Sequence, residues 1–230
     1  RAAGYLDALA TAARNEGSEI VLGILRRARS DGPVFNSIVV LGETPQIYDK
    51  RHLVPFGEYF PVPGFVRDWM RLLSLPYSDL GVGGPRQPVL QTTVAALAPS
   101  ICYEDAFGDQ MLAFLPQAGM LVNVSNDAWF GDSIAPHQHL QIARMRSVEA
   151  GRATLRATNT GISAVIDHRG KLLAQSPQFE VSVLRADVSV RTGATPFVRF
   201  GNLAVVALAL VLIAAGTALG RRQVVSGRRR

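Results

Sequence analysis

The stretch "TTVAALAPSICYED", residues 92–105, decides the fold. An apolar run ends at Ser100-Ile101-Cys102 and gives way to Tyr103, Glu104 and Asp105. It reads as a strand or a strand pair, which leaves Cys102 near a strand end. Cys102 is the only cysteine among 230 residues, so an internal disulfide is excluded. The choice that remains for it is between chemistry and packing.

Outward from this strand, helical and strand patterns alternate. Residues 2–15 carry Ala3, Leu6, Leu9 and Ala13 at helical spacing, and Glu19 to Leu25 reads as a strand. "NSIVVLG", residues 36–42, is a strand, and "QIYDK" is a short one ending at Lys50. A Pro/Gly-punctuated segment, 54–64, leads into a predicted helix, "GFVRDWMRLLSL". "SDLGVGGPRQP" is a loop, and "FGDQMLAFLPQAG" is helical up to Pro116. "MLVNVSN" is a strand, "DAWFGDSIAPHQ" a loop, and "HLQIARMRSVEAGR" an amphipathic helix stopped by Gly151. "TLRATN", a hairpin through "DHRG" and a strand "VSVLRADV" close the domain. The strands at 20–25, 38–42 and 120–124 are apolar on both faces, which predicts an α/β layered domain with covered sheets.

Hydrophobic residues make up 48% of the chain, and the formal charge is +6. The last ten residues, "RRQVVSGRRR", hold five arginines; the rest carries 19 basic against 18 acidic side chains. The body is thus near neutral and has no basic, aromatic-interleaved surface, which argues against a nucleic-acid partner. Phe200 to Gly220 is uncharged for 21 residues. As a helix it would span about 30 Å, the thickness of a bilayer core. The expected layout is a globular domain over 1–198, a transmembrane helix over 199–220 and a basic tail over 221–230. The arginines place that tail in the cytoplasm and the domain on the outer side of the membrane. The chain opens on "RAAGYLDALA" without a Met or a signal peptide, so the expectation is a chain whose beginning is missing.

A cysteine performs acyl transfer as a thiolate and needs a proton acceptor and a positive group for the oxyanion. The four histidines are His52, His137, His139 and His168. His168 lies in the "DHRG" turn. His137 and His139 are two apart and point to different helix faces, so no metal pair is expected. "SDLGVGGP" lacks a phosphate-loop lysine, and no G-x-S-x-G is present. No cofactor is expected. Lys50, just after a strand, offers an ammonium for an oxyanion, and Glu58 and Glu104 are carboxylates near Lys50 and Cys102 in sequence.

"YDKRHLVPFGEYFP", "ICYED" and "VSNDAWFGDSIAPHQHLQIARMRSVEAGRATLRATNTGISAV" occur in that order. Together they resemble the nitrilase-like (carbon–nitrogen hydrolase) domain of the bacterial apolipoprotein N-acyltransferases, from about residue 15 to the C-terminus. The resemblance implies an αββα sandwich and a Glu-Lys-Cys triad. It implies Cys102 as nucleophile, Lys50 as triad lysine and Glu58 as a second, supporting glutamate. Glu104 and Tyr103 beside the cysteine would support the site or contact substrate, and Trp129 would sit in a lipid-touching loop at its mouth. The implied reaction moves an acyl chain from a phospholipid to Cys102 as a thioester, then to the amine of a lipoprotein's diacylglyceryl-cysteine. The implied location is the bacterial inner membrane, with the catalytic domain on the periplasmic side.

The resemblance departs at one point. The family's general-base glutamate lies in a Pro-Glu motif upstream of the lysine. None of Asp7, Glu16, Glu19, Asp31, Glu43 and Asp49 sits in such a motif, so the base is transferred to no residue. Two alternatives therefore stand beside acyl transfer: a membrane-tethered nitrilase-type amidase, and a non-catalytic anchored fragment.

Overall fold

Two β-sheets face each other across one core. The computed structural model describes residues 2–42, 44–66, 69 and 79–227, with side chains described as far as Thr217. The first sheet is an antiparallel meander of β1 (Ile20–Arg27), β2 (Val34–Leu41) and β3 (Gln46–Asp49). The second is mixed and six-stranded, ordered β4 (Leu90–Gln91), β5 (Ala96–Ile101), β6 (Met120–Asn126), β7 (Thr154–Asn159), β8 (Ala164–Ile166) and β9 (Leu172–Gln175). β5, β6 and β7 run parallel at its centre. β4 turns back onto β5, and β8 and β9 form the hairpin expected through "DHRG".

The core joins the two sheets. Ile38, Val40 and Tyr48 from the first pack in one cluster with Leu97, Ile101, Leu121 and Val124 from the second. Each such apolar side chain contributes about 2 kcal/mol by leaving water. Of the helices, α1 (Ala2–Asn15) buries Ala10 and ties Arg14 to the Gly42 carbonyl of the first sheet. α2 (Gly108–Met111) is a single turn after β5. α3 (Ala135–Ala150) carries Pro136 in its first turn, where no backbone N–H is needed, and ends on Gly151 at φ 64. Its Leu140 and Ala143 pack on Ile162, Ala164 and Ile166 of the second sheet. The layers are those of the expected sandwich.

Several expectations change. β1 is only partly covered, and Leu25 is exposed, so its apolar run does not mean two buried faces. The helix expected over 107–115 shrinks to Gly108–Met111, because the chain then folds inward to bury Phe114, Leu115 and Ala118. "VSVLRADV" has no regular secondary structure and pairs with no strand among the described residues; Val181 and Val183 face outward. An alternating pattern makes a strand only where a neighbour offers backbone partners. Most of the helix predicted at "GFVRDWMRLLSL" lies outside the described residues.

The C-terminal segment is two helices, not one. α4 (Pro196–Phe200) is capped by Thr195 and ends at Gly201, where φ is 55. α5 (Leu203–Gly227) follows as a 25-residue helix. The transmembrane helix expected over 199–220 is not supported: among the described residues, no helix is long and apolar enough to cross a membrane.

Candidate active site

The parallel strands β5, β6 and β7 end on one edge of the sandwich, where such folds place their sites. Cys102 is the first residue beyond β5 and has φ 49. A non-glycine residue adopts this left-handed conformation only where surrounding contacts enforce it. The enforcing contacts come from the 3₁₀ turn Cys102–Ala106, whose Glu104 Oε2 accepts the Ile101 N–H at 2.9 Å. The turn presents the half-buried thiol to a cavity of about 810 Å³ between the two sheets. Glu58, Trp129 and Phe130 line the same cavity. Trp129 is 83% exposed, on the 3₁₀ turn Asp127–Phe130 that follows β6.

Lys50 follows β3 and is wholly buried. Its N–H donates to Asn36 O and its carbonyl accepts from Gly83, so the backbone is held from two sides. Its Nζ lies 2.7 Å from Glu58 Oε2. A buried ammonium is costly unless paired, and this carboxylate supplies the pair. Glu58 also accepts from Val54 N–H at 2.8 Å and Asn36 Nδ2 at 3.1 Å. Glu58 lines the cavity and Lys50 does not; the ammonium stands behind that carboxylate.

Glu104 does not line the cavity; it is buried behind Cys102. Its carboxylate accepts from the Arg51 and His52 N–H groups at 2.7 and 3.0 Å, from Tyr48 Oη at 3.0 Å, and from Ile101 N–H. One side chain therefore joins the lysine loop to the cysteine turn. Burial, with the Glu104 charge adding to it, raises the Tyr48 phenol well above its usual range, so it stays a donor to Glu104. Tyr103 is 40% exposed, sets its ring edge-on to Phe107 and stays outside the cavity wall.

A buried charge network that sequence reasoning missed lies beneath Cys102. His139 Nδ1 donates to Asp127 Oδ1 at 3.1 Å. Its Nε2 is shared between Asp105 Oδ1 at 3.1 Å and the Cys102 carbonyl at 3.2 Å. Arg156 donates to Asp127 Oδ2 at 3.0 Å, Asp105 Oδ2 at 3.3 Å and Asn123 Oδ1 at 2.5 Å. Burial opposes a charged imidazole, but the hydrogen bonds to Asp105 and Asp127 outweigh it and push the His139 pKa up to about 10. Burial likewise opposes the Asp127 charge, yet His139, Ser125 and Arg156 hold its carboxyl below the ordinary carboxylate value. Two carboxylates face an imidazolium and a guanidinium, so the network is neutral in sum. Cys102 Sγ, an Asp127 oxygen and a His139 nitrogen lie within 4.8 Å of one another. That spacing would suit a metal ion, but both ring nitrogens are spent on carboxylates and Asp127 is held by Arg156. The donor set fits an ion-pair network and not a cation site.

Two of the upstream acids are engaged elsewhere, and Asp7, Glu16 and Asp31 are exposed and outside the cavity wall. Glu19 Oε2 accepts from Thr93, and Asp49 accepts from Arg26 and Ser37. Glu43 lies outside the described residues. Among the described residues, Glu58 is the one carboxylate in the cavity wall.

The fold and this strand-end cysteine define a class. The chain belongs to the carbon–nitrogen hydrolase family, whose model matches residues 2–197. Within that class it is 47% identical over 93% of its length to an apolipoprotein N-acyltransferase of Nitrosomonas europaea, and 41% identical over 96% to one of Methylococcus capsulatus. It covers 43% and 44% of those proteins, so it spans less than half the length of the curated relatives it matches. Among solved structures, the NitFhit protein of C. elegans aligns with a TM-score of 0.58 at 22% identity, over 76% of this chain and 43% of that one. A carbon–nitrogen hydrolase from Helicobacter pylori aligns with a TM-score of 0.57 at 16% identity, over 75% and 62%. At these identities the two structures speak for the fold alone.

Proposed function

We propose that this chain is the catalytic part of a bacterial apolipoprotein N-acyltransferase. The observation that carries the reading is the left-handed turn at Cys102, which presents a thiol to a cavity walled by β1, Trp129 and Phe130. The cavity has the size of pockets that enclose small-molecule ligands, ~300–1,000 Å³. The Cys102 thiolate attacks the ester carbonyl of a phospholipid acyl chain. The C–O bond breaks, the lysophospholipid alkoxide leaves with a proton, and the acyl group stays as a thioester. The α-amine of a diacylglyceryl-cysteine then attacks that thioester, forms the amide and returns the thiol. Lys50 stabilises the developing oxyanion, Glu58 holds Lys50, and Glu104 fixes the two loops against each other. Tyr103 supports the cysteine turn, and Trp129 meets the acyl chain at the mouth. We assign the proton acceptor to no side chain of this chain.

The membrane reading rests on α5. Its uncharged stretch, residues 203–220, would extend about 27 Å as a helix, and the side chains described, up to Thr217, fall short of a span by themselves. Leu210, Val211, Leu212 and Ile213 are all exposed, so over residues 203–217 no face of the helix is covered by the described residues. An apolar surface around the whole circumference calls for lipid. The arginines at 221–222 and 228–230 would then mark the cytoplasmic end, with the catalytic domain periplasmic at the inner membrane.

The test uses the full-length protein with phospholipid vesicles. The expected result is a mass increase of one acyl chain on Cys102, absent in Cys102→Ser. An adduct that survives this substitution, or none at all, would overturn the reading. Ammonia release from simple amides, without transfer to a lipopeptide amine, would point to an amidase.

A further inference from the structure

We propose that His139 is a positioning residue for Cys102: clamped between the carboxylates of Asp105 and Asp127, it holds the Cys102 carbonyl and with it the turn that presents the thiol. The proposal rests on the reading of Cys102 as nucleophile. The φ of 49 at Cys102 is unfavourable for a side chain with a Cβ, so something must fix the peptide on its far side. Glu104 fixes the near side through Ile101 N–H. On the far side, the Cys102 carbonyl takes its hydrogen bond from His139 Nε2 at 3.2 Å. Asp105 comes from the cysteine turn itself, Asp127 from the end of β6, and His139 from α3, so the clamp ties three elements at the thiol. Arg156 on β7 completes it from below. The same Asp127 opens the turn that carries Trp129, so one histidine governs both the nucleophile and the cavity mouth. Because both ring nitrogens donate, His139 is not the base that receives the thiol proton.

The test compares full-length wild type with His139→Gln, which keeps a long side-chain donor, and His139→Leu, which keeps only bulk. Where the leucine variant does not fold, His139→Asn replaces it, with a donor too short to reach the Cys102 carbonyl. Two rates are read: single-turnover acyl transfer from phosphatidylethanolamine vesicles to Cys102, and iodoacetamide alkylation of Cys102 by peptide mass. The expected order in both is wild type, then Gln within about 5-fold, then Leu or Asn slower by at least about 30-fold. The vesicle concentration giving half the maximal rate stays unchanged. Equal rates in all variants overturn the proposal, and so does equal loss in Gln and Leu or Asn, which would mark a packing role. If wild type forms no acyl adduct, the acyltransferase reading fails, while the alkylation order still decides the role of His139.

Discussion

Glu104 shows how much one side chain can carry without touching substrate. It is 2% exposed and receives hydrogen bonds from Tyr48, Arg51, His52 and Ile101. Truncation to Ala would strand the buried Ile101 N–H and Tyr48 phenol, worth ~1–3 kcal/mol each when unpaired, and release the part-buried Arg51 and His52 N–H groups. Glu104→Ala should therefore lower the unfolding free energy by about 3 kcal/mol or more, measured as the shift in denaturation midpoint. Glu104→Gln should fall between it and wild type, since the amide keeps one acceptor. Its sequence position, two after Cys102, marked it as part of the site. That it works as a brace between two loops could not be read there, because the partners at 48–52 lie 52 to 56 positions away along the chain.

The charge network belongs to the ends of elements: the turns after β5 and β6, the body of β7 and the buried face of α3. Its pH dependence follows from the two groups with shifted titration. The His139 pKa is raised from 6.5 to about 10, so its stabilising contribution is whole below pH 6.5, declines as pH rises, and is gone above about pH 10. Asp127 is lowered from 3.8, so its contribution is whole above that value and is lost as pH falls through its folded titration. Stability should thus plateau between ~pH 4 and 6.5 and decline on both sides. Denaturation midpoints measured from pH 3 to 10.5 check this, and the alkaline decline should flatten in His139→Gln. Element type and the stop at Gly151 were legible for α3, but its start was not: residues 135–138, with Pro136 in the first turn, read as part of the preceding loop. Element type was not legible at 107–115 or 181–188. There, burial of Phe114 and the lack of a neighbouring strand decided the outcome over local pattern.

At the scale of the whole molecule, a sandwich closes the site and a separate helix leaves it. α4 and α5 are split at Gly201, and α5 is exposed over residues 203–217. If α5 is the membrane anchor, residues 200–222 fused behind a soluble reporter should carry it into the membrane fraction and resist carbonate extraction. Replacing Leu208 and Leu212 together by Arg should release it, because each central charge costs roughly 3 kcal/mol of insertion. A reporter that stays in the aqueous fraction with the unaltered segment would exclude the anchor.

By itself, the sequence determined the alternation of strands and helices, the strand end at Cys102 and the place of Lys50 after β3. Periodicity and turn residues act within a few positions, so they survive without knowledge of the fold. The tertiary structure alone decided what surrounds the thiol. His137 and His139 stand two apart on one helix, yet one is exposed and the other is locked between two carboxylates. Helical spacing says that their faces differ. It cannot say which face meets the turns after β5 and β6, because that depends on how strands more than twenty residues apart come side by side.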